Sequence, residues 1–170
     1  MRIVLTIIGA IGATALIAYT SPARAANDSL TGKMAAFSYL IGGTWNCTTN
    51  LSAIEGQPAR TDQGTATFDV VPGNVVHNRI VSGNYVGDYF FGYSSKLNVY
   101  WQVNASNLGT YGFQKSLDGK SFAGTASMGS ESMQDTVTYT KVSPTDVTVH
   151  EVSSGGGRQE TVDSACLRAQ

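Results

Sequence analysis

The stretch that decides the fold is Gly109–Met128, GTYGFQKSLDGKSFAGTASM. Two short runs carrying β-prone residues, Gly109–Lys115 and Ser121–Met128, flank Asp118-Gly119. An Asp-Gly pair between such runs is a strong hairpin signal, because both central turn positions need positive φ. The same grammar extends in both directions. Upstream lie Thr44–Leu51, Gly64–Val71, Val75–Ser82, Tyr85–Tyr93 and Leu97–Asn104, separated by Pro72-Gly73-Asn74, Gly83-Asn84 and Ser94-Ser95. Downstream lie Met133–Val142, Val147–Val152 and Arg158–Leu167, separated by Ser143-Pro144 and Ser153 to Gly157. About ten strands with short connections predict an antiparallel meander. That many strands predict closure into an all-β up-and-down barrel, which removes exposed edges.

Only Ser29–Ile41 reads as helix. Leu30, Met34, Phe37 and Ile41 recur at helical spacing, Asp28 or Ser29 can cap the start, and Gly42-Gly43 can end it. So short an amphipathic helix must lie on something apolar, such as the end of a barrel.

The first residues read as a signal peptide. Met1-Arg2 precedes an uncharged apolar run from Ile3 to Tyr19, and Ala23-Arg24-Ala25 fits the small-residue cleavage rule. The expected organisation is a leader, 1–25, and a barrel domain, 26–170, that is periplasmic or secreted with no membrane span after cleavage. Cleavage would remove Arg2 and Arg24 and make a chain of formal charge −1 more acidic. A nucleic-acid partner held by phosphate neutralisation is therefore excluded. In an oxidising compartment Cys47 and Cys166, the only two cysteines, are expected to pair. They lie on the first and last strands, which only closure brings together.

No metal is expected, since no Cys/His cluster has zinc spacing. The chain has no Gly-x-Ser-x-Gly elbow, no zinc-protease His pair and no phosphate-cradling Gly-rich loop. The reading therefore leans away from catalysis. The strand faces are mixed: Val75, His77, Arg79 and Val81 share one, and Val76, Asn78, Ile80 and Ser82 the other. A mixed interior fits a barrel that holds a ligand better than a filled one. Tyr85, Tyr89, Phe91 and Tyr93 share a strand face. The expected lining for a small apolar or amphipathic ligand is Tyr89, Phe91, Tyr93, Val99, Trp101, Tyr111 and Phe113, with Arg79 as a polar anchor. His77 and His150 are the two candidates for a haem ligand or a general base.

Leu40-Ile41-Gly42-Gly43-Thr44-Trp45 carries a Gly-x-Trp opening to the first strand, just after the helix. This resembles the calycin superfamily of lipocalins, fatty-acid-binding proteins and ten-stranded nitrobindin-like barrels. Phe91-Gly92-Tyr93 followed by Leu97 to Trp101 is similar to a hairpin of secreted bacterial relatives of the nitrobindin-like group. The resemblance implies a barrel with an internal site. It makes Gly43 and Trp45 structural, the indole plugging the closed end, and implies that Arg168 stacks over Trp45 as a basic residue does in lipocalins. Three functions follow as expectations. The first is non-catalytic carriage of a small apolar or amphipathic molecule without a cofactor. The second is a nitrobindin-like haem protein acting on reactive nitrogen or oxygen species, with His150 or His77 as axial ligand. The third is a protein-binding module or inhibitor.

Overall fold

The computed structural model describes residues 29–54 and 57–170. The expected leader, 1–25, lies outside them. Ten antiparallel strands form a closed barrel: β1 (Thr44–Leu51), β2 (Arg60–Val71), β3 (Val75–Ser82), β4 (Tyr85–Ser94), β5 (Val99–Ser106), β6 (Thr110–Ser116), β7 (Ser121–Met128), β8 (Glu131–Ser143), β9 (Asp146–Gly155) and β10 (Arg158–Arg168). Each strand pairs with its neighbours in sequence, and β1 closes on β10. No described helix is long and apolar enough to cross a membrane.

The Asp118-Gly119 hairpin shows how locally the strands are set. The Asp118 carboxylate accepts hydrogen bonds from the Lys120 and Ser121 amides at 2.8 and 3.1 Å and from the Ser116 hydroxyl at 2.8 Å. Those donors, the two amides first, hold its pKa below the ordinary carboxylate range. Gly119 supplies the positive φ, +73°.

Closure is sealed at the seam. Cys47 lies directly opposite Cys166 in the β1–β10 register, and the two are disulfide-bonded. Beside them Trp45 pairs with Arg168. The Trp45 indole is fully buried, donates from Nε1 to the Leu40 carbonyl at 3.1 Å, and meets the Phe68 ring edge-on. The Arg168 guanidinium stands 4.7 Å from the centre of the indole ring and donates to the carbonyls of Tyr39 and Ile41. Arg168 therefore ties the segment before β1 to the barrel floor. Gly43, at φ +73°, makes the turn into β1, and a Cβ there would touch the Arg168 stem at 3.9 Å.

The plug is shorter and tighter than the helix expected over Ser29–Ile41. It is a 3-10 helix, Gly32–Phe37. Gly32 sits at φ +55°, which no continuous α-helix from Ser29 tolerates. In a 3-10 turn residues i and i+3 eclipse, so Met34 and Phe37 stack on one side. Both are buried, with Leu30 and Leu40 completing the apolar underside. Asn74, in the β2–β3 turn, holds the plug through a reciprocal pair with the Thr31 amide and carbonyl at 2.9 and 3.1 Å. Phe37 packs on Phe91 and Tyr100, with ring centres at 6.0 and 5.8 Å.

Candidate functional site

Strand alternation sends one residue in two into the barrel. Near the plug, part of that interior is filled by Phe91, Phe122 and Tyr139, whose rings meet edge-on at 5.4 to 5.9 Å. The rest is a cavity of about 250 Å³. Trp45, the Cys47–Cys166 bridge, Ala66, Phe68, Val147 and Val149 give it apolar walls. Asn78, Tyr85, Tyr89, Asn104, Glu151 and Glu160 give it polar ones. Two inward glycines make room for polar tips. A Cβ on Gly87 would stand 2.4 Å from the Tyr85 hydroxyl, and one on Gly112 would stand 2.5 Å from the Asn104 side-chain oxygen. With Gly87 bare, Tyr85 lies along its own strand and its hydroxyl meets that of Tyr89 at 2.7 Å.

A buried polar network backs the filled half. Asp135 accepts from Gln114 Nε2 at 2.6 Å and from the Ser153 hydroxyl at 2.8 Å, and the Tyr139 hydroxyl donates to Gln102 Oε1 at 3.1 Å. Burial raises the pKa of Asp135 despite these donors. It lifts those of Tyr89 and Tyr139 well above the phenolic range, with Glu151 adding to both. Four interior amide atoms have no hydrogen-bond partner: Asn78 Oδ1, Asn104 Oδ1, Gln102 Nε2 and Gln114 Oε1. Buried amide groups are normally paired, and two of these four, on Asn78 and Asn104, belong to residues that line the cavity.

Glu151 is the most perturbed acid. Burial first, then Asp135 and Glu160, push its pKa from 4.5 to about 8. In the unfolded chain it ionises near the lower value, whereas folded it keeps its proton to the higher one. Between those pH values the folded state binds the extra proton, so stability falls as pH rises. Below the window Glu151 has no effect, and above it the loss is complete. The slope is at most about 1.4 kcal/mol per pH unit for one group. Urea midpoints of the wild-type protein are expected to fall between pH 5 and pH 8. In Glu151→Gln they should fall less, with Asp135 leaving a residual slope of the same sign. Parallel curves for the two proteins would refute this origin.

The structure distributes the expected site residues over both faces. Tyr89 lines the cavity, and Phe91 lies in the filled aromatic cluster. Tyr93 packs on Tyr100, with ring centres 5.0 Å apart, and its hydroxyl donates to Asn98. Val99, Trp101, Tyr111, Phe113 and Arg79 have the opposite parity. Trp101 covers Gly92, where a Cβ would come within 2.1 Å of the indole. Tyr111 and Phe113 are 59% and 44% exposed. Arg79 pairs with Asp88 on the outer face at 3.2 Å, so it is not an anchor for a carboxylate inside. Register is the reason. Tyr89 pairs with Asn104 and Phe91 with Gln102, so their inward partners are amides and the intervening aromatics point out.

Both histidines are also outside. His77 Nε2 lies 2.7 Å from Asp88, and its ring stacks on Phe90. His150 Nδ1 lies 2.6 Å from Asp163, beside inward-facing Val149 and Glu151. Neither fits an axial ligand to iron held inside the barrel. Among the described residues no group of three His, Cys, Asp or Glu could hold a metal. The polar lining that sequence reasoning missed is Glu151, Glu160, Asn78 and Asn104. Its one signal was parity: Glu151 follows Val147 and Val149 at spacings of two.

No family model matches the chain, and no curated protein matches it. Among solved structures it is similar to an S-type phycobiliprotein lyase from Guillardia theta, at 10% identity and a TM-score of 0.48, over 79% of this chain and 91% of that one. It is also similar to a redesigned β-barrel, at 17% identity and a TM-score of 0.37, over 79% of this chain and 96% of that one.

Proposed function

We propose that the protein is an exported, non-catalytic barrel of calycin type that carries a small amphipathic molecule in its interior. The observation behind this reading is the cavity of about 250 Å³, lined by apolar side chains and by polar ones, of which Asn78 and Asn104 each carry an unpaired side-chain oxygen. That combination is the usual composition of a small-molecule site: apolar area for affinity and a few polar atoms for orientation. The calycin assignment is supported by the Gly43-Thr44-Trp45 turn and by Arg168 over the indole. Export is supported by the Cys47–Cys166 bridge, which persists in oxidising compartments.

Native mass spectrometry of the protein purified from its own cell envelope, paired with an absorption spectrum, tests the reading. The expected result is a retained small-molecule mass without a Soret band. A haem mass with a Soret band would replace this reading with the haem one. The outward aromatics of β5 and β6 support a second reading, a protein-binding surface. It predicts a co-purifying polypeptide in the same spectrum and an empty barrel.

A further inference from the structure

We propose that the ligand is an organic cation, a molecule with an apolar body and a protonated amine whose nitrogen lies against Glu151. This rests on the carrier reading and specifies what is carried. Three observations lead to it.

The first is the charge of the inner wall. Glu151 and Glu160 line the cavity, and Arg60 is the one cation among the described lining residues. Arg60 is already held by Asp62 at 3.0 Å and by the Gln57 side chain at 3.1 Å. Arg158, at the β9–β10 hairpin, is paired with Glu131, and Arg168 is committed to the floor. Among the described residues no basic side chain of the lining remains free to meet Glu151.

The second is an excess of acceptors. Asn78 is only 3% exposed, lines the cavity, and has a side-chain oxygen with no partner. Asn104, another lining residue, likewise has a side-chain oxygen without a partner. Glu151 receives no hydrogen bond from the described residues. The nearby hydroxyls bond to one another, Tyr85 with Tyr89 and Thr49 with Ser164, which spends one donor of each pair. An ammonium group has three donors and no acceptor, which matches such a wall. A carboxylate or phosphate is acceptor-only and does not.

The third is the setting of Glu151. Val137 and Val162 flank it across the sheet. Asp135 and Glu160 act on it electrostatically, and it acts in turn on the hydroxyls of Tyr85, Tyr89 and Tyr139. All of these groups are acidic or neutral. A cation entering this site ion-pairs with ionised Glu151 and releases its proton. The amine's apparent affinity therefore rises with pH until Glu151 is ionised without it.

The full-length protein is titrated calorimetrically with three matched probes: 4-phenylbutylamine, 4-phenylbutanol and 4-phenylbutyrate. The amine is expected to bind at least tenfold more tightly than the alcohol, and the carboxylate least tightly. The amine-to-alcohol ratio is expected to rise between pH 6 and pH 8 in the wild-type protein, which needs no variant. In Glu151→Gln the ratio should collapse towards one while the alcohol still binds. If the alcohol binds as well as the amine, at a ratio flat with pH, the cation proposal is overturned and the carrier reading stands. If none of the three binds, the carrier reading fails and takes the proposal with it.

Discussion

In the presence of dithiothreitol the protein is expected to lose about 2–5 kcal/mol of unfolding free energy. The bridge joins residues 119 apart, so in the unfolded state it closes a loop across nearly the whole barrel. Loop-closure entropy grows slowly with length, but this loop lies at the long end, where the chain-entropy model gives about 4–5 kcal/mol. The bond also sits between directly opposed residues on the pair of strands that closes the sheet. Urea melts with and without reductant measure the loss. A Cys47→Ala/Cys166→Ala double variant should match the reduced protein and ignore the reductant. Coincident midpoints for oxidised and reduced wild-type protein would show that strand pairing alone holds the seam.

Trp45→Ala is expected to cost about 3–5 kcal/mol, the range for a large aromatic removed from a packed interior. The indole is 0% exposed and packs on Phe68. Its loss would also take the aromatic face from the Arg168 guanidinium and leave the Leu40 carbonyl without its donor. Arg168→Met keeps the bulk over the indole while removing the hydrogen bonds to Tyr39 and Ile41. It should lower stability by less and loosen the plug. Chemical denaturation gives the energies, and hydrogen exchange at the Leu40 and Ile41 amides reports the plug. A Trp45→Ala protein within 1 kcal/mol of wild type, measured in the same melts, would mean that the floor collapses around the loss.

Turn chemistry made the strands legible. Pro72-Gly73-Asn74, Gly83-Asn84 and Asp118-Gly119 all mark observed hairpins. Boundaries drifted where strands outrun their apolar residues. β2 begins at Arg60 rather than Gly64, because polar Thr61, Asp62 and Gln63 pair with β1. Facing was harder. Reading apolar residues as inward works for Val137 and Tyr139 on β8 but inverts β5 and β6. There Gln102, Asn104, Gly112 and Gln114 point in, while Trp101, Val103, Tyr111 and Phe113 point out. A mixed barrel interior carries its information in parity and register, and a shift of one residue exchanges the two faces. Glu151 stayed hidden for the same reason, since a lone glutamate on a strand ordinarily faces water.

The β1–β10 seam has a consequence for biogenesis. Every strand, β1 included, can pair with a neighbour made moments before or after it, but the second edge of β1 must wait for β10. Until those last residues emerge, the growing sheet has two unpaired borders and cannot close. Pairing of β10 then closes the sheet and brings Cys166 opposite Cys47, where the bridge ties the seam covalently.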